Sequence, residues 1–96
     1  MFDLIGKNIL ITGASGGIGA EIARVLYAAG ATVALSGTRR EPLEALAQDL
    51  GSRAFVLPCN LSDFVAVDAL PKTAAEAMGS VDILINNAGI TRDNLL

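Results

Sequence analysis

The sequence predicts an α/β fold, a parallel sheet with helices on both faces, and three observations carry that expectation. Four short runs, Ile9-Leu10-Ile11, Thr32-Val33-Ala34-Leu35, Ala54-Phe55-Val56-Leu57 and Ile83-Leu84-Ile85, are rich in β-branched residues and do not alternate with polar ones. Continuous apolar runs are the pattern of strands covered on both sides. Helical patterns lie between them, and the stretch Thr12-Gly13-Ala14-Ser15-Gly16-Gly17-Ile18-Gly19 joins the first run to the first of these helices.

The first strand is expected over Asn8-Ile9-Leu10-Ile11, and the first helix over Ala20–Tyr27. In that helix Ile18, Ile22, Val25 and Leu26 recur at i, i+4, i+7 and i+8, which predicts one apolar face. The second helix opens at Glu41-Pro42, carries Leu43, Leu46 and Leu50 on one side and closes at Gly51. The third begins at the capping pair Ser62-Asp63 and reaches Met78-Gly79, with Val67, Leu70, Ala74 and Ala77 as its inward stripe. Pro71 lies inside it and predicts a kink or a restart. The pattern βαβαβαβ, with right-handed crossovers, predicts strand order 3-2-1-4.

Composition narrows the function classes. The 96 residues carry a net charge of −3, which gives a nucleic-acid partner no electrostatic support. No apolar run has transmembrane length, and the first seven residues do not form a signal peptide. With no histidine and the single Cys59, no metal site and no Ser/His or Cys/His pair is expected, and the lone cysteine fits a reducing cytoplasm. Cys59 itself reads as a small buried apolar residue.

Strand, glycine-rich turn and helix in that order suit a phosphate. Glycine allows positive φ and close approach of backbone N–H groups, and the helix N-terminus adds unpaired donors and the positive end of its dipole. The alternative for the same residues is a tight turn without a ligand. At the end of the second strand, NAD-specific sites place an acidic residue about 20 residues beyond the glycine turn. Here Ser36-Gly37-Thr38-Arg39-Arg40 offers no carboxylate before Glu41. A hydroxyl and a guanidinium hold the 2′-phosphate of NADP, whereas a carboxylate repels it; the alternative is a solvated arginine pair at a helix entrance. Asn60 and Leu61 follow the third strand and are candidates for the adenine, Asn60 reading equally as a turn residue. The fourth strand ends in Asn86-Asn87-Ala88-Gly89, small residues that let the backbone pass close to a ligand.

The spacing T-G-x-x-x-G-x-G after the first strand, with N-N-A-G after the fourth, resembles the short-chain dehydrogenase/reductase family over the whole 96 residues. The resemblance implies an incomplete Rossmann-type sheet and places Gly13, Ala14, Ser15 and Gly16 along the pyrophosphate, with Gly17, Ile18 and Gly19 completing the turn. It places Thr38 near the 2′-phosphate, with Arg39 as a further contact, Asn60 and Leu61 at the adenine, and Asn87, Ala88 and Gly89 on the nicotinamide side. Many such reductases have arginine where this chain has Gly16, and that arginine helps hold the 2′-phosphate; Arg39 and Arg40 are then its substitutes.

The stretch Ile90-Thr91-Arg92-Asp93-Asn94-Leu95-Leu96 is similar to members that reduce 3-oxoacyl groups on acyl carrier protein. That similarity implies NADPH as cofactor, an acyl-carrier-protein-linked substrate, a homotetramer and a cytoplasmic enzyme of fatty acid biosynthesis. Acetoacetyl-CoA or another carbonyl compound is the alternative substrate, and a non-catalytic nucleotide-binding module the alternative class. The family's catalytic Asn, Ser, Tyr and Lys lie beyond N-N-A-G. Residues 1–96 are therefore expected to be the N-terminal dinucleotide-binding portion of one domain, with no catalytic residue of their own. Tyr27 is no candidate, since it sits on the first helix.

Overall fold

The computed structural model describes residues 3–87. Four strands, β1 (Asn8–Thr12), β2 (Thr32–Ser36), β3 (Ala54–Val56) and β4 (Ile83–Asn86), alternate with helices α1 (Gly17–Ala28), α2 (Arg40–Leu50) and α3 (Phe64–Met78). All pairings are parallel and the order is β3-β2-β1-β4, as the crossovers predict. The chain leaves β1 toward one edge, then returns from β3 past β1 to place β4 on the other side. Right-handed crossovers in opposite directions put their helices on opposite faces. Ile9, Ile11, Val33 and Leu35 accordingly pack with Ala23 of α1 and Leu43 and Leu46 of α2, while Leu10 and Ala34 pack with Leu70 and Ala74 of α3.

The starts of α2 and α3 have local causes. Pro42 falls in the first turn of α2, where its missing N–H breaks no helical bond. Asp63 caps α3, its carboxylate accepting from the N–H groups of Val65 (3.0 Å) and Ala66 (3.3 Å). At the far end of the sheet the Arg53 guanidinium lies 3.9 Å from the centre of the Tyr27 ring and donates to the carbonyls of Tyr27 and Ala31, closing the end of α1.

Three expectations need correction. The α1 face made of Ile18, Ile22 and Val25 does not enter the core: Ile18 is 72% and Val25 63% exposed. The buried residues of α1 are Gly19 and Ala23, with Leu26 and Tyr27 partly buried against the same core. Small residues face β1, and Ile18 and Val25 are left on the exposed side of the helix. On α3, Ala77 is exposed and Met78 takes its place against the core, while Leu70 and Ala74 are buried as expected. Of the two alternatives at Pro71, a kink or a restart, the restart is excluded: α3 is one helix of 15 residues with Pro71 inside it. The central strands are buried, but β3 and β4 are edges, and Leu84 is 51% exposed.

That edge generates a prediction. Among the described residues β4 pairs on one side only, with β1, and carries apolar side chains, the combination that invites edge-to-edge pairing. Residues 1–96 expressed alone should self-associate, measured by light scattering on a gel-filtration column. A sharp monomer peak with a cooperative melt would count against this.

Candidate functional site: the carboxyl edge of the sheet

The loops after all four strands gather at one edge and are tied together from β4 to β3. Thr12 donates its hydroxyl to Oδ1 of Asn86 at 2.9 Å, and Asn87 Nδ2 donates to the carbonyl of Gly13 at 3.1 Å. The Ala14 N–H donates to the Ser36 carbonyl at 3.0 Å, and the Cys59 N–H to the Gly37 carbonyl at 2.9 Å. Ser15 meets Gly37 so closely that a β-carbon there would lie 3.4 Å from the serine hydroxyl. β1 is the switch point of this sheet, with β2 and β4 on its two sides, and in open α/β sheets ligands bind outside the strand ends at that point.

The glycine turn is shaped by contact as well as by conformation. Gly13 and Gly17 have φ of 68° and 58°, the region that favours glycine. Gly19 is needed for a different reason: its backbone φ is ordinary, but a β-carbon would overlap the Gly13 carbonyl oxygen and lie 2.8 Å from Asn87 Nδ2. The start of α1 therefore sits directly on the turn. Gly16, Gly17 and Ile18 are exposed, and α1 has no side-chain cap. The first N–H groups of that helix face outward at the positive end of its dipole, which suits an anion.

Ala14 differs from its neighbours. It is fully buried and its N–H is spent on Ser36, so it joins the turn to β2 instead of pointing at a ligand. The Ser36 hydroxyl is buried there without a hydrogen-bond partner among the described residues. Thr38 and Arg39 are exposed just beyond β2, Arg39 standing at the N-cap of α2 with extended backbone. Arg40 is different again, held by Glu44 one turn along α2 at 2.9 Å. Asn60 is exposed, and its Oδ1 accepts from the Ser62 N–H at 3.0 Å, a turn contact. Leu61 is half-buried beside it. Ala88 and Gly89 lie outside the described residues.

Cys59 is half-buried rather than buried as expected; its partial burial raises the thiol above its ordinary range, and the neighbouring Asp63 carboxylate pushes it further the same way. A raised thiol pKa keeps the sulfur protonated at neutral pH, so it is a poor nucleophile. Among the described residues no group of three or more His, Cys, Asp or Glu side chains is arranged to hold a metal. No helix there is long and apolar enough to cross a membrane.

A model of the short chain dehydrogenase family matches residues 7–96. The chain belongs to that family. Two curated relatives are nodulation protein G of Rhizobium sp. (strain N33), 57% identical over 95 residues, and the 3-oxoacyl-[acyl-carrier-protein] reductase of Vibrio harveyi, 46% identical over 94 residues. They match 99% and 98% of this chain, which spans 39% and 38% of their lengths. Among solved structures, the 3-ketoacyl-(acyl-carrier-protein) reductase of Brucella melitensis, crystallised with NADH, superposes with a TM-score of 0.80 at 34% identity, over 85% of this chain and 34% of its own. The chain thus has the parallel sheet of its family.

Gly19→Ala should cost about 3 kcal/mol or more, because backbone must move to admit the methyl group, and should abolish dinucleotide binding; Asn87→Ala should cost about 1 kcal/mol, the loss of one hydrogen bond. Urea unfolding and nucleotide titration read both. For Cys59, the folded state holds its proton to higher pH than the unfolded chain. Its contribution to stability is therefore full below the unfolded thiol pKa and falls as pH rises through it. Alkylation of the folded protein by iodoacetamide should be slower than that of the urea-unfolded chain at the same alkaline pH.

Proposed function

We propose that residues 1–96 are the N-terminal, dinucleotide-binding portion of an NADPH-dependent reductase that converts 3-oxoacyl groups on acyl carrier protein to 3-hydroxyacyl groups. The observation that supports it best is the pairing of the two motifs in space. Asn87, from the N-N-A-G end of β4, donates to the Gly13 carbonyl of the glycine turn, so strand ends far apart in sequence build one cradle. The exposed, uncapped start of α1 fits a pyrophosphate, and the region from Ser36 to Arg40 holds no carboxylate to repel a 2′-phosphate. The NADH complex of the Brucella melitensis relative supports a nicotinamide dinucleotide as the ligand class, and the name of the Vibrio harveyi relative supports the acyl-carrier-protein substrate.

In this reading Gly16, Gly17 and Ile18 present backbone to the pyrophosphate, with Gly13, Ser15 and Gly19 shaping the turn. Thr38 and Arg39 face the 2′-phosphate, Asn60 and Leu61 the adenine, and Asn87, Ala88 and Gly89 the nicotinamide side. The cofactor supplies hydride to the substrate carbonyl. The group that protonates the carbonyl oxygen lies outside these residues, consistent with the position of Tyr27 at the opposite end of α1, against Arg53. The active form is a cytoplasmic homotetramer of fatty acid biosynthesis.

The test is an assay of the full polypeptide with acetoacetyl-acyl-carrier-protein and with acetoacetyl-CoA, following NADPH absorbance. The expected outcome is higher kcat/KM for the carrier-protein substrate, and the family's Ser and Tyr-x-x-x-Lys in the gene beyond codon 96. Preference for the CoA thioester would favour a related reductase. Dinucleotide binding with no turnover of either substrate would favour a non-catalytic module.

A further inference from the structure

We propose that the β4 side of α3 is the seat of the first helix in the polypeptide that follows Leu96. That helix brings a hydrogen-bond donor to the Val67 carbonyl, which Pro71 leaves without its helical partner. The proposal rests on the reading of residues 1–96 as the N-terminal portion of one domain, and concerns how the remainder joins it.

Three observations carry it. The two flanks of α3 differ in kind. Phe64, Val67, Pro71 and Ala75 recur at i, i+3, i+7 and i+11, which stacks them along one flank, and Val67 and Pro71 share a hollow with Leu84 of β4. Thr73 lies on the other flank, beside Val56 of β3, with the charged Glu76 one turn nearby. Phe64 is 87% exposed at the head of the apolar stripe, and Pro71 is exposed in its middle. Second, the hollow lined by Leu10, Val67, Leu70, Pro71 and Leu84 measures about 50 Å³. Small-molecule sites occupy about 300 Å³ or more, so this one suits a packed side chain instead. Third, Pro71 has no N–H, so the Val67 carbonyl four residues earlier lacks its helical donor although α3 continues to Met78.

Topology selects the occupant. The crossovers to β2 and β3 run one way from β1, with α1 and α2 on one face; the crossover to β4 runs the other way, with α3 on the opposite face. A further strand on the free side of β4 continues in that second direction. A right-handed crossover to it sets its helix on the α3 face, beside α3 and over Leu84. The two curated relatives have the length for this, since the chain spans 39% and 38% of them. A second copy packing helix against helix would leave the free side of β4 unpaired. Covering the flank takes the Val67 carbonyl out of water, where a carbonyl without a donor is costly. The covering helix therefore presents one amide, hydroxyl or cationic side chain at that level within an otherwise apolar face.

Maleimide labelling of the full polypeptide, read by mass spectrometry of each cysteine peptide, tests the seat without nucleotide or substrate. Leu84→Cys and Ala75→Cys should react about tenfold more slowly than Glu76→Cys, at every protein concentration. Thermal melting of Pro71→Leu tests the donor. On an open flank the restored N–H would raise the melting temperature by about 5 °C or more. With the donor in place the new N–H displaces it, and the melting temperature stays level or falls. Labelling at Leu84→Cys as fast as at Glu76→Cys overturns the proposal. Protection that is lost on dilution also overturns it, since that marks a second copy. So does the higher melting temperature in Pro71→Leu. Both expected results in a polypeptide without reductase activity leave the proposal standing and overturn the functional reading, whereas a gene that stops at codon 96 overturns both.

Discussion

Helix α1 approaches the end of β1 so closely that only a hydrogen atom fits between them at Gly19. The Gly13 carbonyl occupies the space a side chain would take, and Asn87 reaches the same oxygen from β4. This contact fixes where the helix begins, which way its first N–H groups point and how near β4 lies to the turn. It also explains why the helix turns small residues, Gly19 and Ala23, toward the sheet. Small residues lie beneath a helix seated this low, and Ile18 and Val25 are left exposed.

The reversal of chain direction around β1 gives the molecule its two cores. One lies under α1 and α2 and includes the aliphatic residues Ile9, Ile11, Val33 and Leu35; the other lies under α3 and is smaller, centred on Leu10 and Leu70. The helix N-termini at the carboxyl edge differ: α3 is capped by its own Asp63, while α1 and α2 have no side-chain cap. The salt bridge between Arg24 and Asp49, at 2.6 Å, joins α1 to α2 on the same face. Both side chains are well exposed, so it contributes little to stability.

Much of the architecture was legible in the residues. Non-alternating apolar runs marked all four strands, and the right-handed crossover rule was enough to order them. The glycine turn and Asn86-Asn87 were recognisable as a pair, and the structure brings them into contact. What escaped were features set by distance of approach. Periodicity identified an apolar stripe on α1, yet Ile18 and Val25 face outward, because helical spacing reports that a face exists and not how close the helix stands to the sheet. Ala14 was expected among the phosphate-facing residues, and its N–H turned out to serve Ser36; no sequence signal distinguishes it from Ser15. The inequality of Arg39 and Arg40 was equally hidden as a contact, although Glu44 four residues beyond Arg40 is the spacing of a helical ion pair.

The bonds from Thr12 to Asn86 and from Asn87 to Gly13 each join residues 74 positions apart. The glycine turn is made early in synthesis, but the partner that holds its carbonyl is among the last residues of this stretch to leave the ribosome. Contacts of such long sequence separation are slow to form, because loop closure must be met before they stabilise anything. The cradle therefore matures late. A nascent chain halted before β4 would carry the recognisable motif without its fixed shape, and its capacity to hold a ligand would arrive with the fourth strand rather than with the glycines that announce it.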